Sequence, residues 1–159
     1  MSKRFHPAAL AAAMLALALA GPVSAQTHAH DHGAAPAKLQ LDHGRKWTTD
    51  APLRTGMANL RALVAPQLAS ARAGKLNPEE ARALAPKLEA EVGGIVANCK
   101  LAPEADAMLH LVIADIIAGT DVLAGKDTKH RPAEGLVTVA HALDQYGRYF
   151  DHPGFKPLH

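Results

Sequence analysis

The stretch PEADAMLHLVIADIIAGTDVL, residues 103–123, decides the fold of this chain. Its apolar residues recur at steps of three and four, which is the period of one face of an α-helix. Pro103 opens the stretch at a position that tolerates proline, and Gly125 is a natural stop just beyond it. We therefore expect a long helix with a wide buried face. The residues predicted to lie on that face are Met108, Val112, Ile116, Gly119 and Leu123.

Three further segments, residues 49–74, 77–99 and 132–152, show the same helical period. Asp50 and Asn77 precede the first two as capping residues, and each is followed by a proline in the first helical turn. Each segment therefore predicts a helix with one apolar face. The three faces consist of Leu53, Met57, Leu60, Val64, Leu68 and Ala71; of Leu84, Leu88, Val92, Ile95 and Cys99; and of Leu136, Val139, Ala140, Leu143, Tyr146 and Phe150.

Prolines and glycines inside these segments predict local exceptions. Pro66 lies within the first helix and predicts a kink, because proline removes a backbone donor. Pro86 lies within the second helix and predicts a kink or a late start of that helix. Gly93 and Gly94 weaken the middle of the second helix and could let another helix come close. Gly119 could admit a close neighbour in the same way.

The predicted fold class is all-α, since no stretch alternates with the period of two that is typical of strands. Four helices joined by short loops pack best as an up-down-up-down four-helix bundle. We expect the bundle to comprise residues 49–152 and to be followed by a C-terminal tail, residues 153–159.

The first 25 residues have the three parts of a secretory signal peptide. Lys3 and Arg4 give a basic start, an almost unbroken run of Ala, Leu and Met follows at residues 8–20, and Val-Ser-Ala at residues 23–25 is a small-residue cleavage site. The apolar run is too short to span a bilayer, which needs ~20 residues. The pattern predicts export to a bacterial periplasm, with no membrane association after cleavage.

Residues 26–48 are predicted to form a flexible leader, because polar, low-complexity segments bury too little surface to offset the cost of ordering. The leader contains His28, His30 and His32. Imidazoles one residue apart can chelate a divalent ion such as Cu²⁺, Zn²⁺ or Ni²⁺. The alternative is a solvated leader that binds nothing.

Composition argues against a nucleic-acid partner. Beyond the predicted cleavage site, Lys and Arg residues are balanced by Asp and Glu residues, whereas nucleic-acid binding favours a basic face. The chain has one cysteine, Cys99, which cannot form an internal disulfide. This cysteine is therefore buried, bound to a ligand, or paired with another molecule, and the last case leaves a homodimer open.

The expected topology brings sulfur and imidazole groups to one end of the bundle, where the first and third helices begin and the second and fourth end. Thioether, thiolate and imidazole together favour copper in its reduced state. Each residue also has a structural alternative: a methionine can fill the core, a buried cysteine behaves as a small hydrophobe, and a histidine can be a half-exposed polar residue. The predicted metal ligands at this end are Met57, Cys99, Met108 and His110.

A family resemblance rests on three spacings: Leu53-x3-Met57-x2-Leu60, Pro103-Glu104-x5-His110, and Arg148-x3-His152. These segments resemble the soluble periplasmic four-helix haem proteins of the cytochrome b562 type. The resemblance implies an electron carrier that holds haem b between a methionine of the first helix and a histidine of the fourth. In this chain those ligands would be Met57 and His152. Covalent haem is excluded, because the chain lacks a C-x-x-C-H motif.

Enzymatic functions have little support, since no H-E-x-x-H, G-x-S-x-G or phosphate-binding glycine loop is present. We therefore expect a non-catalytic protein. Three functions remain open at this point: metal binding with copper favoured, in storage, delivery or tolerance; haem-dependent electron transfer; and a metal-free interaction bundle.

Overall fold

The computed structural model describes residues 38–159. Within this range it has four α-helices: α1 (Ala51–Arg72), α2 (Pro78–Asn98), α3 (Pro103–Leu123) and α4 (Pro132–Tyr149). The pairs that pack most extensively are α1 with α2, α2 with α3, α3 with α4, and α4 with α1. This pattern confirms the predicted all-α, up-down-up-down four-helix bundle. The described residues contain no β-strand, only two isolated bridges.

The helix starts agree with the capping residues that the sequence predicts. An Asp50 side-chain oxygen accepts the Leu53 N–H at 2.9 Å, and the Asn77 side chain accepts the Glu79 N–H at 2.8 Å. Each bond satisfies a backbone donor that the first helical turn leaves without a partner. The helices α3 and α4 both begin at a proline, as predicted.

The core consists of the predicted faces with few exceptions. Every face residue named above is buried except Cys99, which is partly exposed. The structure adds buried residues next to these faces, among them Leu109 and Ile113, so α3 has the widest buried surface, as its composition predicts. Both Pro66 and Pro86 lie inside continuous helices. The late start of the second helix that Pro86 could predict is wrong, because α2 begins at Pro78.

The glycines divide into two kinds. A Cβ added at Gly119 would lie 2.6 Å from the Gly135 carbonyl oxygen, and one added at Gly135 would lie 2.6 Å from the Gly119 carbonyl oxygen. The backbones of α3 and α4 therefore touch at these two residues, which we call the glycine crossing, and the close neighbour predicted for Gly119 is confirmed. The same prediction for Gly93 and Gly94 is wrong, because no atom lies within 4 Å of an added Cβ at either.

The segment that precedes α1 is fixed to the end of α4. The backbone N–H of Trp47 donates to the Tyr149 carbonyl at 2.9 Å, and the backbone carbonyl of Trp47 accepts the Asp151 N–H at 2.8 Å. The Thr49 hydroxyl donates to the Asp151 carbonyl at 2.6 Å, and the Trp47 ring packs on the core. The leader predicted to be flexible as far as residue 48 is therefore ordered in its last part. The reason is that one aromatic side chain buries enough surface to hold a polar segment.

The C-terminal tail folds back along α1 and α4. The ring of Phe155 contacts the ring of Tyr146, with centroids 5.1 Å apart. One Asp144 carboxylate oxygen accepts the Leu158 N–H at 2.6 Å, and the Arg61 side chain donates to the Lys156 carbonyl at 2.6 Å. The tail thus covers part of the groove between these helices.

Among the described residues, no helix combines the length and the apolar character that crossing a membrane requires. The predicted signal peptide and the His-rich part of the leader lie outside the described residues. Their assignment stays a prediction.

Candidate functional site

One end of the bundle brings together the cysteine of the chain, a histidine and several carboxylates. We call the end that contains Asp50, Cys99, Asp106 and His110 the polar cap. Asp50 links its parts, because one carboxylate oxygen caps α1 and the other accepts the Lys100 N–H at 2.6 Å. The start of α1 and the loop between α2 and α3 are thereby held together.

Cys99 is the C-cap residue that directly follows α2. Its N–H donates to the Ile95 carbonyl at 2.9 Å, and its side chain is partly exposed and has no disulfide partner. Partial burial raises the pKa of the Cys99 thiol, and the negative charges of Asp50 and Asp106 raise it further. The thiol is therefore protonated at neutral pH and releases a proton when it binds a metal.

His110 lies one helical turn after Asp106 on α3 and is bonded to it. The ring Nδ1 is 2.9 Å from the Asp106 carbonyl oxygen and 3.3 Å from its carboxylate. The His110 side chain is 62% exposed, so its other ring nitrogen is open to solvent or a ligand. Asp106 therefore acts on both groups: it orients the His110 imidazole and its charge reaches the Cys99 thiol.

The four predicted bundle ligands do not share one environment. Met57 is fully buried and Met108 is 8% exposed, so both thioethers belong to the core. Met108 and His110 are two residues apart on one helix, which places them roughly 200° apart around its axis. The structure thus gives two thioethers in the core and a thiol and an imidazole nearer the surface.

His152 bonds to a core residue instead of facing an open haem pocket. Its Nδ1 is 3.0 Å from the Tyr146 hydroxyl, and its ring lies 5.0 Å from that of Phe155. Burial and the nearby positive charge of Arg54 lower the pKa of the His152 imidazole.

The residues present do not fit a haem in this arrangement. Tyr146 and Phe150 are fully buried and stack with ring centroids 5.3 Å apart, which fills the core near the end of α4. The cavity that His152 lines is bordered otherwise by Thr48, Thr49, Arg54, Asp151 and Pro153, and Met57 is not part of its lining. Methionine and histidine therefore face different spaces.

A cavity of about 540 Å³ opens at the polar cap. It lies between the loop that follows Cys99 and a tight hairpin turn at residues 42–45, whose two central residues, His43 and Gly44, have positive φ angles of 46° and 82°. Such angles are typical of a type I′ turn. Trp47 and Glu104 also line the cavity, so it has aromatic and charged walls.

Sequence reasoning missed three residues of this cap. The sequence pattern indicates Asp50 only as a helix cap, places Trp47 in the leader and does not distinguish Asp106 from other acidic residues. Only Asp106 carried a usable signal, because its spacing of four residues from His110 puts both side chains on one helical face.

Within residues 38–159, no group of three or more His, Cys, Asp and Glu side chains is arranged to hold a metal ion. The predicted ligands His28, His30 and His32 lie outside the described residues. No protein-family profile, curated protein or solved structure matches this chain.

Proposed function

We propose that this chain is a non-catalytic, exported metal-binding protein with copper as the favoured ion, acting in metal storage, delivery or tolerance. The observation that carries the proposal is that the same end of the bundle holds a free, partly exposed thiol, Cys99, and an exposed imidazole, His110, whose Nδ1 is bonded to Asp106.

The chemistry of this group suits a soft or borderline ion. Thiolate and imidazole are ligands that copper and zinc prefer, and a thiolate favours Cu(I) in particular. A ligating histidine is commonly oriented by a carboxylate or a carbonyl on its second nitrogen, and Asp106 offers both to His110. Negative charge from Asp106 and Asp50 also attracts a cation.

Two thioethers in the core have a different role in this proposal. Met57 and Met108 are buried, and a buried methionine fills space in a helical core. We therefore assign ion binding to Cys99 and His110, with the His-rich leader residues His28, His30 and His32 as a separate, second binding segment for divalent ions.

The test is a titration of reduced protein with Cu(I) in competition with a colorimetric chelator. We expect Cys99→Ser and His110→Gln each to weaken Cu(I) binding by about tenfold or more. The matched control is Met57→Leu, which conserves volume in the core and should leave affinity unchanged. Equal binding by wild type, Cys99→Ser and His110→Gln would disprove the cap site.

The leader is tested separately with Cu²⁺ in a variant in which His28, His30 and His32 are all alanine. Loss of Cu²⁺ binding in this variant, with Cu(I) binding intact, is expected. A sharp Soret band after addition of haem would favour the electron-carrier function instead. Absence of binding in all three titrations would favour a metal-free interaction bundle.

A further inference from the structure

A second polar cavity lies where the segment before α1 meets the segment after α4. Its volume is about 390 Å³, and Thr48, Arg54, Asp151 and His152 are among its lining residues. It shares no ligand with the proposed metal site, because Cys99 and His110 are not part of its lining.

Arg54 is held in place but keeps most of its donors. One terminal nitrogen, Nη1, donates to the Thr49 carbonyl at 2.7 Å and to the Thr49 hydroxyl at 3.1 Å. A guanidinium has five N–H groups, so three of them have no partner among residues 38–159. No buried side-chain nitrogen or oxygen in this part of the chain lacks a partner, so these three N–H groups reach solvent.

His152 adds a neutral donor. Burial raises the pKa of Tyr146, which keeps its hydroxyl protonated and able to donate to the His152 Nδ1 at 3.0 Å. An oxyanion at Nε2 selects the tautomer in which Nδ1 accepts from the Tyr146 hydroxyl and Nε2 carries the ring proton. The low pKa of His152 keeps the ring neutral at neutral pH.

We propose that this cavity binds a small oxyanion group, a phosphate or a carboxylate, with Arg54 as its charged partner and Thr48 and His152 as further hydrogen-bond donors. A guanidinium can bind the two oxygens of such a group with two parallel N–H groups. The bonds from Arg54 Nη1 to Thr49 fix the guanidinium and leave Nε and Nη2 for the ligand. The hydroxyl of Thr48 is exposed on the same lining and makes no hydrogen bond to residues 38–159.

Asp151 sets the expected strength of binding. It lines the same cavity and forms no ion pair with Arg54 within 4.0 Å. Its carboxylate repels an anion, so binding is weak in the native chain and tightens when that charge is removed.

The experiment is a titration of the full chain with inorganic phosphate and, in parallel, with acetate, followed by NMR in chloride buffer. We expect Arg54→Gln to weaken binding about tenfold, which corresponds to about 1.4 kcal/mol. The matched control is Arg61→Gln, because Arg61 is on the same helix and donates to the Lys156 carbonyl away from the cavity. Tighter binding of phosphate than of acetate would identify a phosphate group as the ligand, and tighter binding of acetate would identify a carboxylate.

Two variants keep the test decisive if Arg54→Gln does not fold. Asp151→Asn should bind the oxyanion more tightly than wild type, and Thr48→Val should bind it more weakly. Absence of saturable binding by the wild type, or equal affinity in Arg54→Gln and Arg61→Gln, would overturn the proposal. Neither result tests the copper-binding proposal, because these variants leave Cys99 and His110 unchanged.

Discussion

The polar cap and the glycine crossing hold the same bundle together in opposite ways. At the crossing, α3 and α4 meet backbone to backbone at Gly119 and Gly135, and no side chain lies between them. At the cap, the elements are joined by side-chain hydrogen bonds around partly exposed groups, of which Asp50 makes two.

The difference shows where this chain can carry chemistry. A backbone contact tolerates no added atom, so the crossing fixes the distance between two helices and offers no functional group. The cap has a free thiol, an imidazole and carboxylates that water reaches, so its charges can change without loss of the core. The two ends therefore differ in what a substitution can change: the crossing admits no added atom, whereas the cap has groups that a ligand can reach.

The largest effect is expected at the crossing. Gly119→Ala places a methyl group 2.6 Å from the Gly135 carbonyl oxygen and 2.7 Å from a Val139 side-chain carbon, so α3 and α4 must separate. We expect the free energy of unfolding to fall by about 3 kcal/mol, measured by urea denaturation. A loss below about 0.5 kcal/mol would show that the helices do not touch there.

Asp50→Ala should have the next largest effect, because it removes both the cap of α1 and the bond to the Lys100 N–H. We expect a loss of about 2 kcal/mol in the same measurement. The matched control is Asn77→Ala, which removes only the single cap bond at α2 and should cost about 1 kcal/mol. Equal losses would contradict the linking role of Asp50.

Gly93→Ala should change stability in the opposite direction. Its added Cβ meets no atom within 4 Å, and alanine is the better helix former. The expected gain is about 0.5–1 kcal/mol. A loss comparable to that of Gly119→Ala would mean that α2 has a close neighbour at this position.

The smallest effect on stability is expected for a substitution near the Cys99 thiol, and it tests the electrostatics of the polar cap. Asp106→Asn removes a negative charge that raises the pKa of Cys99, so the pKa should fall and alkylation by iodoacetamide should reach its full rate at lower pH. Asp115→Asn is the control, because Asp115 is exposed on α3 and does not contribute to this pKa. Identical pH profiles for the two variants would contradict the interaction between Asp106 and Cys99.

Most of the fold could be predicted because helical periodicity is a local property. Residues such as Leu60, Ile116 and Leu143 recur at fixed steps, and all three are fully buried. Only one residue of the glycine crossing could be predicted from the sequence. Gly119 interrupts an apolar face and so indicates a close neighbour, whereas its partner Gly135 precedes the predicted face of α4 and interrupts no pattern.

The candidate site was less predictable, because its contacts join residues far apart in the chain. Chain direction correctly indicates that Cys99 ends α2 near the start of α3, but rotation around a helix decides which side chains converge. His110 and Met108 separate for this reason. The hydrogen bonds of Trp47 to the end of α4 depend on backbone atoms, which no residue pattern shows.

The pairing of Trp47 with the backbone on both sides of Phe150 bears on the order of folding events. Contacts between successive helices close short loops, whereas this pairing requires nearly the whole bundle to be in place, so it forms late on the pathway. Substitution of Trp47 by phenylalanine keeps these backbone bonds but removes the indole N–H bond to the Gln40 carbonyl and part of the ring that packs on the core. It should then speed unfolding and leave the refolding rate almost unchanged, as chevron analysis would show. The end of the molecule that carries the free thiol would accordingly be the last to close and the first to open.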